Sequence, residues 1–282
     1  MTANTNLVST QWLEDHLSSP DLVVVDASWY LPAQNRDGKA EYAAGHIPGA
    51  VHLDIDEVSD HANPLPHMLP DPHAFAQHMS ALGIGDGMRV VVYDGLGMFA
   101  APRVWWMLRS FGVRDVAVLD GGAPKWRAEG RPWTDEPTRR RPATFTPRFD
   151  HGAVASREDI ARMLETGSHQ VVDARAADRF RGDAPEPRPG LKAGHMPGAR
   201  NVPWTELVTS GGLKSPEEIR AIFERAGVDL RKPIATTCGS GVSAAILTLA
   251  LNTAGVNTKS LYDGSWAEWG GRDDCPVATG PA

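Results

Sequence analysis

The sequence predicts an α/β protein made of two copies of one domain, each a mainly parallel sheet flanked by helices. Two observations carry this. Four short segments recur in the same order at offsets of 143 to 149 residues. Within each copy, short wholly apolar runs alternate with amphipathic helical patterns, which is the signature of strands buried under helices on both faces.

The repeat begins with Val24-Val25-Asp26-Ala27, which returns as Val171-Val172-Asp173-Ala174. Gly45-His46-Ile47-Pro48-Gly49-Ala50 returns as Gly194-His195-Met196-Pro197-Gly198-Ala199. Asp94-Gly95-Leu96-Gly97 matches Cys238-Gly239-Ser240-Gly241, and Asp120-Gly121-Gly122 with Trp126 matches Asp263-Gly264-Ser265 with Trp269. Four matches in register mean a duplicated domain. Residues 1–130 form the first copy and 151–282 the second. Residues 131–150, rich in Pro, Arg and Thr, read as an extended linker.

Strands are expected at Leu22–Val25, Val90–Tyr93 and Val116–Leu119, then at Gln170–Val172 and Ile234–Thr236. Helix starts follow from caps. Asp71-Pro72 places a capping acid before Pro at the first turn. Ser156 with Asp159, and Ser215 with Glu218, have capping-box spacing. Ala100 to Ser110 carries a wide apolar face. Trp105, Trp106, Trp126, Trp266 and Trp269 read as packing residues.

Composition narrows the function. The 282 residues are 41% hydrophobic and 22% charged, as in an ordinary globular protein, and the net charge of −7 argues against nucleic acid as a partner. Arg139-Arg140-Arg141 lies among prolines and reads as solvated. No run is long enough to cross a membrane, and the first residues lack the pattern of a secretion signal. Two cysteines in this length are no disulfide framework, so a reducing cytoplasm is the expected compartment. No metal site is expected: His67, His73 and His78 are loosely spaced and read as surface or packing residues. Cys275, in a Gly/Asp/Pro tail, reads as a free, exposed thiol.

Chemistry concentrates at Cys238. It follows the apolar run Ile234-Ala235-Thr236 and precedes a helical pattern, at the carboxyl end of a parallel strand where α/β sheets place their sites. Gly239 and Gly241 let the backbone curl so that several N–H groups converge, and the following helix adds its positive end. That setting favours an anionic sulfur over a buried structural thiol.

Two tandem copies, a His-Ile/Met-Pro-Gly-Ala turn in each, and a strand–Cys-loop–helix in the second copy alone resemble the two-domain rhodanese sulfurtransferases, from about Val8 to Trp269. The loop Cys238-Gly239-Ser240-Gly241-Val242-Ser243 is most similar to that of the 3-mercaptopyruvate sulfurtransferase branch, with Ser243 in place of Thr. The thiosulfate-using branch tends to carry Arg and Lys after the Cys. The resemblance implies two rhodanese-like domains and a persulfide on Cys238, with sulfur passed to thioredoxin, a small thiol or cyanide, and no cofactor. It implies substrate binding by Gly239, Gly241, Val242 and Ser243, and carboxylate binding by Arg179 and Arg188, whose planar forks suit that group. Arg175 and Arg181 read as structural or peripheral. It further implies a relay of Ser240 with a first-domain His and acid, for which His46 and Asp37 are the candidates. Recurrence of the same turn at His195 also suits a turn-anchoring role for His46. Asp94 in the Cys position makes the first copy non-catalytic.

Three rival readings remain at the level of sequence. One is a thiosulfate sulfurtransferase. The second is a Cys phosphatase, disfavoured because Ala244 stands where a phosphate-clamping Arg is needed. The third is a non-catalytic binding module.

Overall fold

The computed structural model describes residues 6–282 except Gly211, Asn257 and Lys259. The chain divides into two compact units. The first contains residues up to Asp60, Leu69–Asp150 and Thr209–Leu213, and the second contains His61–Met68, His151–Val208 and Lys214–Ala282.

In the first unit, strands β1 (Leu7–Val8), β2 (Leu22–Asp26), β3 (Val51–His52), β4 (Arg89–Tyr93) and β5 (Val116–Leu119) form one sheet in the order β1-β5-β4-β2-β3. Helices α1 (Thr10–His16), α2 (Gly38–Ala44), α3 (Pro72–Ala81), α4 (Ala101–Ser110) and α5 (Gly122–Ala128) alternate with them. The second unit repeats the plan. Its strands are β6 (Val154–Ala155), β7 (Gln170–Asp173), β8 (Arg200–Asn201), then β11 (Ile234–Thr237) and β12 (Ser260–Tyr262), ordered β6-β12-β11-β7-β8. Between β8 and β11 lies a short ribbon of β9 (Val208–Thr209) and β10 (Gly212–Leu213). Helices α6 (Arg157–Thr166), α7 (Ala177–Arg181), α8 (Pro216–Arg225), α9 (Ala244–Thr253) and α10 (Ser265–Trp269) complete the unit. Every pairing within the two five-stranded sheets is parallel. The two sheets therefore share one topology, as the repeat requires.

The central strands are buried along their length, so their runs of Val, Ile and Ala do not alternate with polar residues. The helix caps form as their spacing predicts. Asp71 accepts the His73 and Ala74 amides, and Ser156 and Ser215 each close a capping box. All five tryptophans named above are buried, each contributing on the order of 2–3 kcal/mol of hydrophobic burial.

Three expectations are corrected. The stretch 131–150 has no helix or strand, yet it is pinned to the first unit rather than spanning solvent. Its backbone bonds reach Ser80, Asp86, Ser110 and Phe111, and Phe145 packs edge-on against Phe75. Extended segments need partners for their amides, and this one finds them on the unit's surface. Arg140 in that stretch is half-buried rather than fully solvated. Cys275 is a free thiol, but buried: it belongs to the apolar cluster of Tyr262, Trp266 and Trp269. Among the described residues no helix is long and apolar enough to cross a membrane.

Candidate active site

Cys238 follows β11 directly and is 2% exposed. Its loop is fixed from the neighbouring strand end. The Cys238 carbonyl accepts the Trp266 amide at 2.9 Å and the Gly239 carbonyl accepts that of Ala267 at 2.9 Å. Ser265 anchors the loop from its other side. Its hydroxyl faces the Cys238 amide at 3.3 Å and donates to the Tyr262 carbonyl at 2.7 Å. Ser265 is fully buried and has φ +50°, a left-handed value that costs a residue with a Cβ about 1 kcal/mol or more. The aligned Gly122 has φ +53°. Sequence reasoning passed over Ser265; its alignment with a glycine was the available signal.

Gly241 adopts φ +80° and turns the loop back, as Gly97 does at φ +98° in the first unit. In the first unit this fold of the loop makes a complete anion cradle, and Asp94 occupies it. One carboxylate oxygen accepts the amides of Leu96 (2.9 Å) and Gly97 (2.7 Å), the other those of Phe99 (2.8 Å) and Ala101 (2.8 Å). The positions matching Leu96 and Phe99 are Ser240 and Ser243, whose amides donate to no acceptor among the described residues. A small sulfur replaces a carboxylate, and donors remain for an extra anionic atom beyond it. Val242 and Ser240 are buried beside the thiol.

The arginines sort by environment. Arg175 is fully enclosed. Its guanidinium donates to Asp173 (2.7 Å), Glu186 (2.8 Å) and the Gly194 carbonyl (2.9 Å), and lies over the Trp266 ring at 4.2 Å. Burial opposes its charge, but the Asp173 and Glu186 carboxylates outweigh burial and hold its proton more tightly than usual. This is the structural role expected of it. Arg179 pairs with the other oxygen of Glu186, yet its side chain stays 25% exposed. It also borders the Cys loop: a Cβ built on Gly239 would lie 3.3 Å from an Arg179 nitrogen. Glu186, with a side chain 2% exposed, therefore joins the structural and the accessible guanidinium. Arg188 meets His67, the His67 Nε2 lying 3.3 Å from an Arg188 nitrogen.

That contact makes His67 a packing residue rather than a surface one. It is 7% exposed, sits at φ +60° and belongs to the segment His61–Met68 that packs as part of the second unit. The structure does not join His46 and Asp37 into a relay. Asp37 caps α2 through the Ala40 amide at 3.0 Å. The His46 ring stacks on Tyr42 at 4.2 Å with Nδ1 against the Tyr42 carbonyl at 2.8 Å, and its Nε2 has no partner among the described residues. His195 repeats this with Phe180, at 3.9 Å and 2.8 Å. Both turns also make the same antiparallel bridge, to Thr134 and to Ala278. Shared geometry in both units identifies a turn anchor. Among the described residues no His/Cys/Asp/Glu cluster has the arrangement of a metal site.

Fold and loop together define a class: tandem α/β domains with one cysteine heading a glycine-turned loop and an acid, held by its own loop amides, at the counterpart position. A rhodanese-like domain profile matches residues 9–129 and again 156–272. The chain is 45% identical to the 3-mercaptopyruvate sulfurtransferase of Escherichia coli (strain K12) over 276 residues, 98% of both chains. It is also 45% identical to the thiosulfate sulfurtransferase of Bos taurus, covering 93% of this chain and 91% of that one. The crystal structure of SseA from Escherichia coli, described as a 3-mercaptopyruvate sulfotransferase, superimposes with a TM-score of 0.86 at 43% identity, covering 94% of this chain and all of that one. The chain belongs to the rhodanese family, and it is a two-domain sulfurtransferase.

Proposed function

We propose that this enzyme takes sulfur from 3-mercaptopyruvate onto Cys238 and passes it to a thiol acceptor, thioredoxin or a small thiol, or to cyanide. The observation that carries this reading is the loop Cys238–Ser243, which holds amide donors and no cation and is bordered by the part-exposed Arg179. The Cys238 thiolate attacks the substrate sulfur. A sulfur–sulfur bond forms, the carbon–sulfur bond breaks, and pyruvate leaves with the electron pair as its enolate, then takes a proton on carbon. The outer persulfide sulfur rests on the Ser240 and Ser243 amides until an acceptor nucleophile removes it and restores the thiolate. Arg179 and Arg188 hold the carboxylate, and Glu186 and His67 hold the arginines in place. His67 replaces His46 as the histidine that serves this site. With both cysteines free, a reducing compartment such as the cytoplasm suits the cycle.

Thiosulfate is the second reading, supported by the equal identity to the bovine enzyme. The ratio of kcat/KM for the two donors separates them, and higher efficiency with thiosulfate overturns the first reading. Mass spectrometry after incubation with 3-mercaptopyruvate should find one added sulfur on Cys238, about 32 Da. Arg179→Ala and Arg188→Ala should impair mercaptopyruvate far more than thiosulfate, which has no carboxylate. Equal losses would remove the carboxylate clamp from the scheme.

A further inference from the structure

The two units differ at one buried position in a way that leaves a hole. In the second unit the Arg175 guanidinium is held by Asp173, by the Gly194 carbonyl and by the face of Trp266. The repeat aligns these four residues with Ser28, Asp26, Gly45 and Ala123 of the first unit. A long cationic side chain and an indole are thus replaced by a hydroxymethyl and a methyl group. All four counterparts line a single cavity of about 720 Å³ within the first unit.

We propose that this cavity is a binding site for a small guanidinium-bearing molecule, which takes in the first unit the place that Arg175 fills from within in the second. Asp26 supplies the acid. It is 2% exposed and forms no ion pair among the described residues. One of its oxygens accepts the Ser28 amide at 2.8 Å. Burial raises its proton affinity above the usual carboxylate range, against hydrogen bonds from Ser28 and Tyr93 and the nearby His52. The matching acid of the second unit meets a guanidinium, so the cavity carries the acidic half of that pair. Tyr42, stacked on His46, and Trp133, under the Arg127 guanidinium at 5.4 Å, also line the cavity. Glu41 lies there too, but it is already neutralised by Arg36 at 2.6 Å, so the pair leaves the balance to Asp26. Arg127, exposed at the same cavity, favours a guanidinium compound with a carboxylate at its far end.

Calorimetric titration of the full chain with L-arginine, agmatine and L-citrulline tests this. Arginine and agmatine should bind saturably at one site, arginine more tightly. Citrulline, the neutral isostere, should bind at least about tenfold more weakly. Asp26→Asn should weaken arginine at least about tenfold, and Ser28→Arg with Ala123→Trp, which rebuilds the second unit's filling, should abolish binding. Absence of saturable binding, equal affinity for citrulline, or arginine binding unchanged in Asp26→Asn would overturn the proposal, even if the refilled variant does not fold. Pyruvate binding that the refilled variant loses would mark an anion site on Arg127 and overturn it as well. These readouts measure binding alone, so they stand apart from the donor assignment.

Discussion

The loops after β4 and β11 share a glycine-turned plan but open on different residues, Asp94 in one and Cys238 in the other, and the proposed chemistry turns on that exchange. In the first unit the Asp94 carboxylate saturates four amides of its own backbone. In the second, Cys238 stands at the matching position, the Ser240 and Ser243 amides donate to no acceptor among the described residues, and the Ala245 amide, the counterpart of Ala101, turns to the Val242 carbonyl at 3.2 Å. In one copy the amides close on the loop's own side chain and the loop is a brace; in the other, under the proposed cycle, they receive the sulfur that Cys238 carries.

The sharpest way to break this comparison is Cys238→Asp, which makes the second loop a copy of the first. Turnover should fall by at least about a thousandfold, because the nucleophile is gone, while the melting temperature holds or rises. A melting temperature several degrees lower would mean that the two cradles are not equivalent. Asp94→Ala exchanges the effects. It removes four charge-assisted hydrogen bonds and leaves buried amides bare, so chemical denaturation should show a loss of about 3 kcal/mol or more. Sulfur transfer at low temperature, where the fold persists, should change little.

Smaller perturbations probe the supports. Glu186→Gln loosens Arg179 without removing it, and should raise KM for mercaptopyruvate about tenfold with kcat nearly kept. Ser265→Ala deletes the hydroxyl that faces the Cys238 amide and should lower kcat about three- to tenfold. Ser265→Gly, which also relieves the positive φ, should show the same kinetic loss at higher stability than Ser265→Ala.

The least effect, and the one that carries a sign in pH, belongs to Asp26→Asn. Burial raises the Asp26 carboxyl in the folded protein above its value in the unfolded chain. The folded state then binds more protons, so ionised Asp26 subtracts from stability as pH rises through that window. The Asn variant should melt a few degrees higher near neutrality. The gain should shrink as pH falls toward about 3.9, the unfolded carboxylate range. A gain that grows on acidification would contradict the burial argument.

The duplication, the parallel sheets and the Cys238 loop were legible in the sequence because each rests on local pattern: apolar runs, caps and a repeated order of turns. The proposed arginine clamp was half legible. Arg179 and Arg188 stood out, but Glu186, which ties Arg179 to Arg175, is a long-range packing outcome that no spacing announces. His46 was a relay candidate through its turn, while the same turn at His195 also suited an anchoring role, and the stacked rings on Tyr42 and Phe180 give that role its geometry. His67 was missed because its contact with Arg188 spans 121 residues of chain. Cys275 looked exposed from its polar neighbours, whereas the tail folds it against Trp266 and Trp269.

The segment His61–Met68 has a consequence of its own. It is encoded in the first half of the chain and packs in the second unit, just as Thr209–Leu213 runs the other way to place the Leu213 amide on Asp120 at 2.9 Å. Each half of the sequence is thus short of a piece that the other half lends. A fragment starting at residue 151 keeps Cys238, Arg179 and Arg188 but arrives without His67. Duplication made two sequence halves, but each compact unit takes residues from both of them, so a cut at the repeat boundary does not reproduce either unit.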